Sequence, residues 1–186
     1  MEPTSRRTYL TLAVKLLFLL GLILLSIPFF ASLQSPQQAD GRQNSPWHVE
    51  VGLQDIAAGT IKKVNWPAGE VWIYRRTLLD LQHLARPVSG LRDPDSRASE
   101  QPASCQNNLR SLSETYFVFI PNETRRGCLV NWDEAQQQFV EPCHGARFDA
   151  AGRIYGKSGH PRQQNLRVPN YHLLSAQRIR LLPPGQ

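Results

Sequence analysis

Cysteine is scarce in this sequence, and positive charge is concentrated only in short clusters such as Arg6-Arg7. The three cysteines are Cys105, Cys128 and Cys143. The net charge of +6 comes from 21 basic against 15 acidic residues that are scattered along the chain, whereas a nucleic-acid-binding surface usually shows a basic stripe. We therefore predict no nucleic-acid partner. Internal repeats are also lacking. Cys105 lies in a polar stretch and is predicted to be a free thiol or a bystander, not a ligand.

The N-terminal segment has the features of an export signal followed by an anchor. Arg6 and Arg7 follow a serine and precede apolar residues, which is typical of a twin-arginine translocation motif; the alternative is that they are ordinary positive-inside charges. No charged residue occurs from Leu16 to Ala39. This run predicts a single transmembrane helix within 10–33, with a cytoplasmic segment at 1–9 and an exported C-terminal domain. A cleaved signal peptide is the alternative.

The remaining chain divides into a polar linker and one domain. Residues 34–46 are predicted to be a flexible hinge or tether, and 47–186 to be the exported domain. Thr77 is placed to cap a short helix over 78–85, and 86–115 is predicted to be a long loop. Alternating or continuous apolar patterns indicate strands in this domain, at 48–51, 61–66, 71–75, 116–120, 153–155, 165–171 and 177–182.

Two short segments carry the strongest motif. Residues 141–153 read EPCHGARFDAAGR, and residues 123–128 read ETRRGC. Together they resemble the two cluster-binding boxes of Rieske iron–sulfur proteins, closest to the proteobacterial iron–sulfur subunit of quinol–cytochrome c reductase. The resemblance implies an all-β fold, with a base β-sandwich and a small cluster-binding subdomain at 120–160, behind one N-terminal transmembrane helix. It also implies a disulfide between Cys128 and Cys143, which indicates an oxidising compartment.

The resemblance also shows what the chain has lost. A Rieske [2Fe–2S] centre needs two thiolates on one iron and two imidazoles on the other. The family's ligand positions fall on Glu123, Arg125, Glu141 and His144, so only the histidine is kept.

Two further family positions carry hydroxyl groups that donate hydrogen bonds to the cluster, and these are Ala146 and Phe148 here. We interpret the pattern as a scaffold that is kept while the cluster chemistry is removed, and we predict no cofactor.

Taken without the family resemblance, the residues also allow a metal site as an alternative interpretation. Glu123, Glu141 and His144 form a conceivable mononuclear set on ligand type alone. Arg125 argues against it, because a guanidinium cannot ligate and brings positive charge. The competing interpretation is structural: Arg125 lies between the two glutamates and forms charge-assisted hydrogen bonds with them.

The leading functional prediction is therefore a protein that acts by binding. We expect a cluster-free accessory, assembly or structural subunit of a respiratory complex, of the cytochrome bc type or an associated oxidase. It would be held by the lipid bilayer in a bacterial inner membrane, with a cytoplasmic N-terminus and a periplasmic domain. No catalytic residue is assigned. The alternative is the family's own activity, a [2Fe–2S] subunit that oxidises quinol and reduces cytochrome c.

Overall fold

A computed structural model describes residues 3–33, 47–86, 89–122 and 126–184. The chain forms two compact units, Met1–Gln43 and Asn44–Gln186. In the first unit, helix α1 spans Pro3–Leu33. Across the described residues, no helix combines the length and the apolarity that a membrane crossing requires. The prediction for 10–33 is therefore confirmed as a helix but not as a membrane span, and the predicted hinge at 34–46 lies outside the described residues.

The second unit is built mainly from strands, as predicted, and the pairs between its named strands are antiparallel. Its described residues form three sheets of three strands each. The strand order in the first sheet is β1-β9-β8, in the second β2-β3-β4, and in the third β5-β6-β7. The strands are β1 Val49–Gly52, β2 Ile61–Trp66, β3 Gly69–Arg75, β4 Tyr116–Phe119, β5 Asn131–Asp133, β6 Gln138–Glu141, β7 Ala146–Phe148, β8 Tyr171–Ser175 and β9 Arg178–Leu181.

The predicted short helix is also present. Helix α2 spans Leu78–Leu84 and begins at a capping box formed by Thr77 and Asp80. The Thr77 hydroxyl accepts from the Asp80 amide at 3.1 Å, and the Asp80 carboxylate accepts from the Thr77 amide at 2.7 Å. Such reciprocal bonds satisfy two amides that the helix itself leaves unpaired.

Two predicted strands are wrong. Residues 153–155 form only isolated bridges, in which Ile154 pairs with Phe148 and Tyr155 with Leu91. Residues 165–170 are irregular, and β8 begins only at Tyr171. The reason is visible at Ile154, whose amide donates to the side chain of Asn165 at 2.8 Å. Buried apolar residues here fill the core without a strand ladder, so an apolar pattern alone misassigns them.

An aromatic cluster joins the second sheet to the third. Phe139 of β6 packs against Phe119 of β4 with ring centroids 4.8 Å apart, and against Trp132 of β5 at 4.7 Å. Tyr74 of β3 lies 4.4 Å from Trp132 and 5.6 Å from Phe139. These separations are typical of stabilising ring contacts. The cluster fixes the end of β6, which carries the first residue of the candidate site.

Candidate functional site

The site is the turn between β6 and β7, and it is tied to the chain before β5. Glu141 ends β6 and Ala146 begins β7. The amide of Gly145 donates to the carbonyl of Glu141 at 3.0 Å. Cys143, within this turn, forms a disulfide with Cys128, and their Cα atoms lie 6.5 Å apart. The disulfide predicted from the family resemblance is therefore confirmed.

The carboxylate of Glu141 fills the inside of this turn. Glu141 is fully buried, whereas residues 142–145 are exposed. Its Oε1 accepts a hydrogen bond from the amide of Cys143. The amide of His144 donates to both carboxylate oxygens, at 3.2 Å and 3.1 Å. Backbone amides therefore compensate for the burial of this charge, which would be costly without partners.

His144 is linked to the same carboxylate. Its ring Nδ1 lies 3.2 Å from Oε2 of Glu141, and its side chain is 29% exposed. The imidazole therefore sits at the surface end of the turn with one nitrogen on the carboxylate. Glu123 and Arg125, the other two predicted positions, lie outside the described residues, so the predicted bridge from Arg125 to the glutamates stays a prediction.

Ala146 and Phe148 are packed into the protein. Both are fully buried, and Phe148 belongs to the hydrophobic core. The loop at 156–160 lies directly against β7, because a Cβ built on Gly159 would come within 2.6 Å of the Ala146 Cβ. The guanidinium of Arg92 holds this loop by donating to the carbonyls of His160 at 2.7 Å and Gln163 at 2.8 Å.

The donor set at the turn does not fit a [2Fe–2S] cluster. The three groups that come within 4.8 Å of one another are the Cys128 and Cys143 sulfurs and the Glu141 carboxylate. Both sulfurs are engaged in the disulfide, and a disulfide sulfur is not a thiolate ligand. Glu141 stands where the family resemblance calls for a cysteine, and its oxygens are already engaged by backbone amides. In the described part of the site, His144 alone matches a ligand of the family type.

Sequence reasoning missed the buried arginines that hold the segment after β7. Arg110 is fully buried. It donates to the carbonyls of Ala151 at 3.1 Å, Gly152 at 3.2 Å and Leu166 at 2.7 Å. Arg76 donates to the carbonyl of Ala150 at 3.1 Å. The two guanidinium groups therefore fasten the start of the loop that returns the chain from the site to the core.

Burial perturbs both arginines without neutralising them. Loss of hydration lowers the pKa of Arg76 to about 10, and the same cause lowers the pKa of Arg110 to about 10. Both therefore stay protonated at neutral pH. Their partners are mainly main-chain carbonyls, which every residue has whatever its side chain. No local residue pattern could therefore have revealed the role of these two arginines.

Cys105 is the third cysteine and takes no part in the site. Its thiol is free and fully buried, and burial raises its pKa. A protonated, inaccessible thiol reacts poorly. The prediction that Cys105 is a bystander is consistent with this placement.

The chain is similar in sequence to curated proteins named as iron–sulfur subunits of ubiquinol–cytochrome c reductase. No family model matches it. It is 29% identical over 180 residues to the ubiquinol–cytochrome c reductase iron–sulfur subunit of Allochromatium vinosum, covering 91% of this chain and 84% of that protein. It is 32% identical over 153 residues to the subunit of the same name from Bradyrhizobium diazoefficiens, covering 82% and 80%.

The chain is also similar to solved structures. The cyanobacterial plasma membrane Rieske protein from Synechocystis is 26% identical, with a TM-score of 0.42, and covers 73% of this chain and 98% of that one.

Proposed function

The chain belongs to the Rieske iron–sulfur protein family, and we propose that it is a cluster-free member that acts through binding, as an accessory, assembly or structural subunit of a respiratory complex. The observation that carries this proposal is the state of Glu141. A buried carboxylate held by the amides of Cys143 and His144 stands at a ligand position, where a Rieske iron needs a thiolate.

The differences from the family pattern fall on the ligand positions, whereas the residues that shape the turn are kept. The disulfide between Cys128 and Cys143 is kept, and Gly145 still turns the chain with a positive φ of 69°. The sequence also carries Glu123 and Arg125 at the two ligand positions before β5. A guanidinium cannot ligate iron because it stays protonated. A chain that had only a retuned cluster would keep its ligands and vary the groups around them.

The names of the relatives support a respiratory complex as the partner of this chain. Those compared above are named as iron–sulfur subunits of ubiquinol–cytochrome c reductase. We propose that this chain docks on a membrane respiratory complex of this kind or on an associated oxidase. Affinity purification from detergent-solubilised membranes, with identification of the co-purifying subunits, tests this. Recovery of the chain alone at several detergent strengths would contradict it.

Export and anchoring are part of the same proposal. The support comes from the sequence, in which Arg6 and Arg7 precede a stretch without charge from Leu16 to Ala39. We propose that this segment directs the domain to the periplasm and keeps it at the inner membrane. Carbonate extraction of membranes and protease accessibility in spheroplasts test the location. Release of the chain by carbonate, or protection of the domain from protease, would contradict it.

Spectroscopy of the full-length chain decides between the proposal and the family's own activity. Protein purified with and without oxygen, then reduced, is examined by EPR and analysed for iron. We expect no Rieske signal and iron well below two atoms per chain. A stoichiometric [2Fe–2S] signal would overturn the proposal and favour electron transfer from quinol to cytochrome c.

A matched restoration series sharpens the result. The triple variant Glu123→Cys, Arg125→His and Glu141→Cys rebuilds the missing ligands beside His144 on the same frame. If the frame is intact and only ligands are missing, this variant takes up iron and the parent does not. Equal iron in both proteins would show that the substituted positions do not control cluster binding.

A further inference from the structure

The disulfide and Glu141 form a group of donor atoms that the cluster-free function does not use. The Cys128 and Cys143 sulfurs and a Glu141 oxygen all lie within 4.8 Å of one another. Ligands around a tetrahedral zinc ion lie roughly 3.3–3.8 Å apart, given bonds of about 2.0–2.3 Å. The group is therefore already near the size of a metal site, apart from the bond between its two sulfurs.

Glu141 is oriented for such a role. Its carboxylate is buried and is held by the amides of Cys143 and His144. A carboxylate has about four lone-pair sites. The amides take three of them and the His144 ring contacts Oε2 at the fourth, so rotation of that ring away from Oε2 frees a site for a cation. Hydrogen bonds of this kind fix the orientation of a ligand around a metal.

His144 supplies a fourth donor. Its Nδ1 lies 3.2 Å from Oε2 of Glu141, which is close to the separation of neighbouring ligands in a tetrahedral site. His144 lies outside the group whose donor atoms are all within 4.8 Å of one another, so its partly exposed ring must rotate toward the two sulfurs to complete the set. Two thiolates, one carboxylate and one imidazole form a donor set that suits zinc.

We infer that this turn is a redox-gated metal site, closed while the disulfide is formed and able to bind a zinc-class divalent cation once it is reduced. The ligands are Cys128, Cys143, Glu141 and His144. Cys143 is exposed, so a reductant can reach the bond. The inference goes beyond the binding function and requires only that no cluster occupies the site, which the iron analysis above decides separately.

The chemistry balances in two steps. A dithiol reductant, such as a dithiol protein, passes two electrons and two protons to the disulfide, so that the S–S bond breaks, two protein thiols form and the dithiol becomes a disulfide. The divalent cation then displaces one proton from each thiol and binds both thiolates, releasing two protons to solvent. Reoxidation by a protein disulfide reverses the sequence and releases the metal.

This site differs from the mononuclear alternative of Glu123, Glu141 and His144. That alternative has no sulfur ligand and does not depend on the redox state of the disulfide. The two therefore give opposite results on oxidised protein.

The test uses the full-length chain in detergent, with cobalt(II) as a spectroscopic probe for zinc. Half of the preparation stays oxidised, and half is reduced anaerobically with a phosphine, which reduces the disulfide without adding thiols. We expect one cobalt per chain in the reduced protein only, with thiolate-to-cobalt charge transfer in the near ultraviolet and the intense visible bands of a tetrahedral ion. Binding by the oxidised protein, or binding without charge transfer, would overturn the inference.

Variants assign the ligands. Cys143→Ser removes one thiolate and should abolish the two-thiolate spectrum, whereas Cys105→Ser, a matched control at the buried free thiol, should leave it unchanged. Glu141→Gln should weaken metal binding about tenfold or more. Glu123→Gln should have no effect. Loss of binding in Glu123→Gln together with an unchanged Cys143→Ser would assign the metal to the alternative site instead.

A fold control keeps the result decisive. Near-ultraviolet circular dichroism of the reduced, metal-free protein is compared with that of the Cys128→Ser/Cys143→Ser double variant and of the oxidised parent. Metal binding with a native aromatic signal supports the site. If cobalt binds only after that signal is lost, it is bound by an unfolded chain, and the inference is wrong.

Discussion

The amide of His144 donates to both oxygens of Glu141, at 3.2 Å to Oε1 and 3.1 Å to Oε2. The amide of Cys143 donates to Oε1 as well. These bonds hold the backbone of the turn against the buried carboxylate. A negative side chain at the end of β6 therefore stabilises the conformation of the turn that follows it.

The first prediction concerns this carboxylate. Glu141→Ala should destabilise the protein by about 2 kcal/mol, because the amides of Cys143 and His144 lose their acceptor. Glu141→Gln keeps one oxygen at the same place and should cost about 1 kcal/mol or less. Urea unfolding gives the free energies, and amide hydrogen exchange at the two residues reports the local effect. Equal exchange rates in Glu141→Ala and the parent would contradict the role of the carboxylate.

The second prediction concerns the disulfide between Cys128 and Cys143. The bridged residues are 15 positions apart, and a loop of this size contributes about 3 kcal/mol in the chain-entropy model. Reduction with a phosphine, in the presence of a metal chelator, should lower the free energy of unfolding by that order. Cys105 should stay unmodified by alkylating reagents in the folded protein, because it is fully buried. An unchanged unfolding curve after complete reduction would contradict the prediction.

The third prediction concerns Arg110. Arg110→Met keeps much of the side-chain volume but leaves the carbonyls of Ala151, Gly152 and Leu166 without their donor. We expect a loss of about 3 kcal/mol, since breaking a buried charged network leaves its partners unpaired. Arg97→Met is the matched control, because that side chain is 86% exposed and forms an ion pair with the exposed Asp95. It should cost no more than about 0.5 kcal/mol. Similar losses of unfolding free energy in both variants would contradict the proposed role of Arg110 in holding these carbonyls.

The fourth prediction separates backbone strain from packing at two glycines. Gly145 and Gly152 have almost the same positive φ, 69° and 68°. A Cβ on Gly145 meets nothing within 4 Å, whereas a Cβ on Gly152 would lie 2.7 Å from a ring carbon of Phe117. Gly145→Ala should therefore cost about 1 kcal/mol from strain alone.

Gly152→Ala should add about 1–3 kcal/mol of overpacking to that cost. Thermal and urea unfolding of the pair measure the difference. A difference of less than about 0.5 kcal/mol would mean that the core around Phe117 relaxes freely.

The sequence predicted those parts of the fold that depend on local patterns. The hairpin of β2 and β3 could be recognised by two strand-like segments flanking Pro67–Gly69, and α2 by the capping position of Thr77. The disulfide came from the family motif, and the strand ladders of β4 and β9 from their apolar patterns. These features are set by residues that are close in sequence or by a motif with fixed spacing.

The remaining features depend on contacts between distant segments. Leu166 is fully buried in irregular chain, so its apolar character wrongly suggested a strand. Arg110 looks like an ordinary loop arginine until the fold places it 2.7 Å from the carbonyl of Leu166. At the site, the predicted bridge from Arg125 to Glu141 lies outside the described residues. The partners of Glu141 seen in the described chain, which were not predicted, are the amides of Cys143 and His144 and the ring of His144. Main-chain partners leave no signature in the sequence.

The last prediction concerns alkaline pH and Tyr171. Burial is the main cause that raises the pKa of Tyr171 above its ordinary value of 10.0, and its hydroxyl accepts from the amide of Leu112 at 2.9 Å. The folded protein therefore keeps this proton at pH values where the unfolded chain loses it. The resulting contribution to stability is fully present below pH 10 and is lost as the pH rises further.

Tyr171→Phe removes the titrating group. The variant should be about 1 kcal/mol less stable than the parent at pH 7, because the amide of Leu112 loses its acceptor. Above pH 10 the parent should lose stability more steeply than the variant, by up to about 1.4 kcal/mol per pH unit. The two curves of unfolding free energy against pH should therefore converge as the pH rises. Urea unfolding between pH 7 and pH 11 measures both curves, and curves that stay parallel over that range would show that the Tyr171 proton is not held more tightly in the folded state.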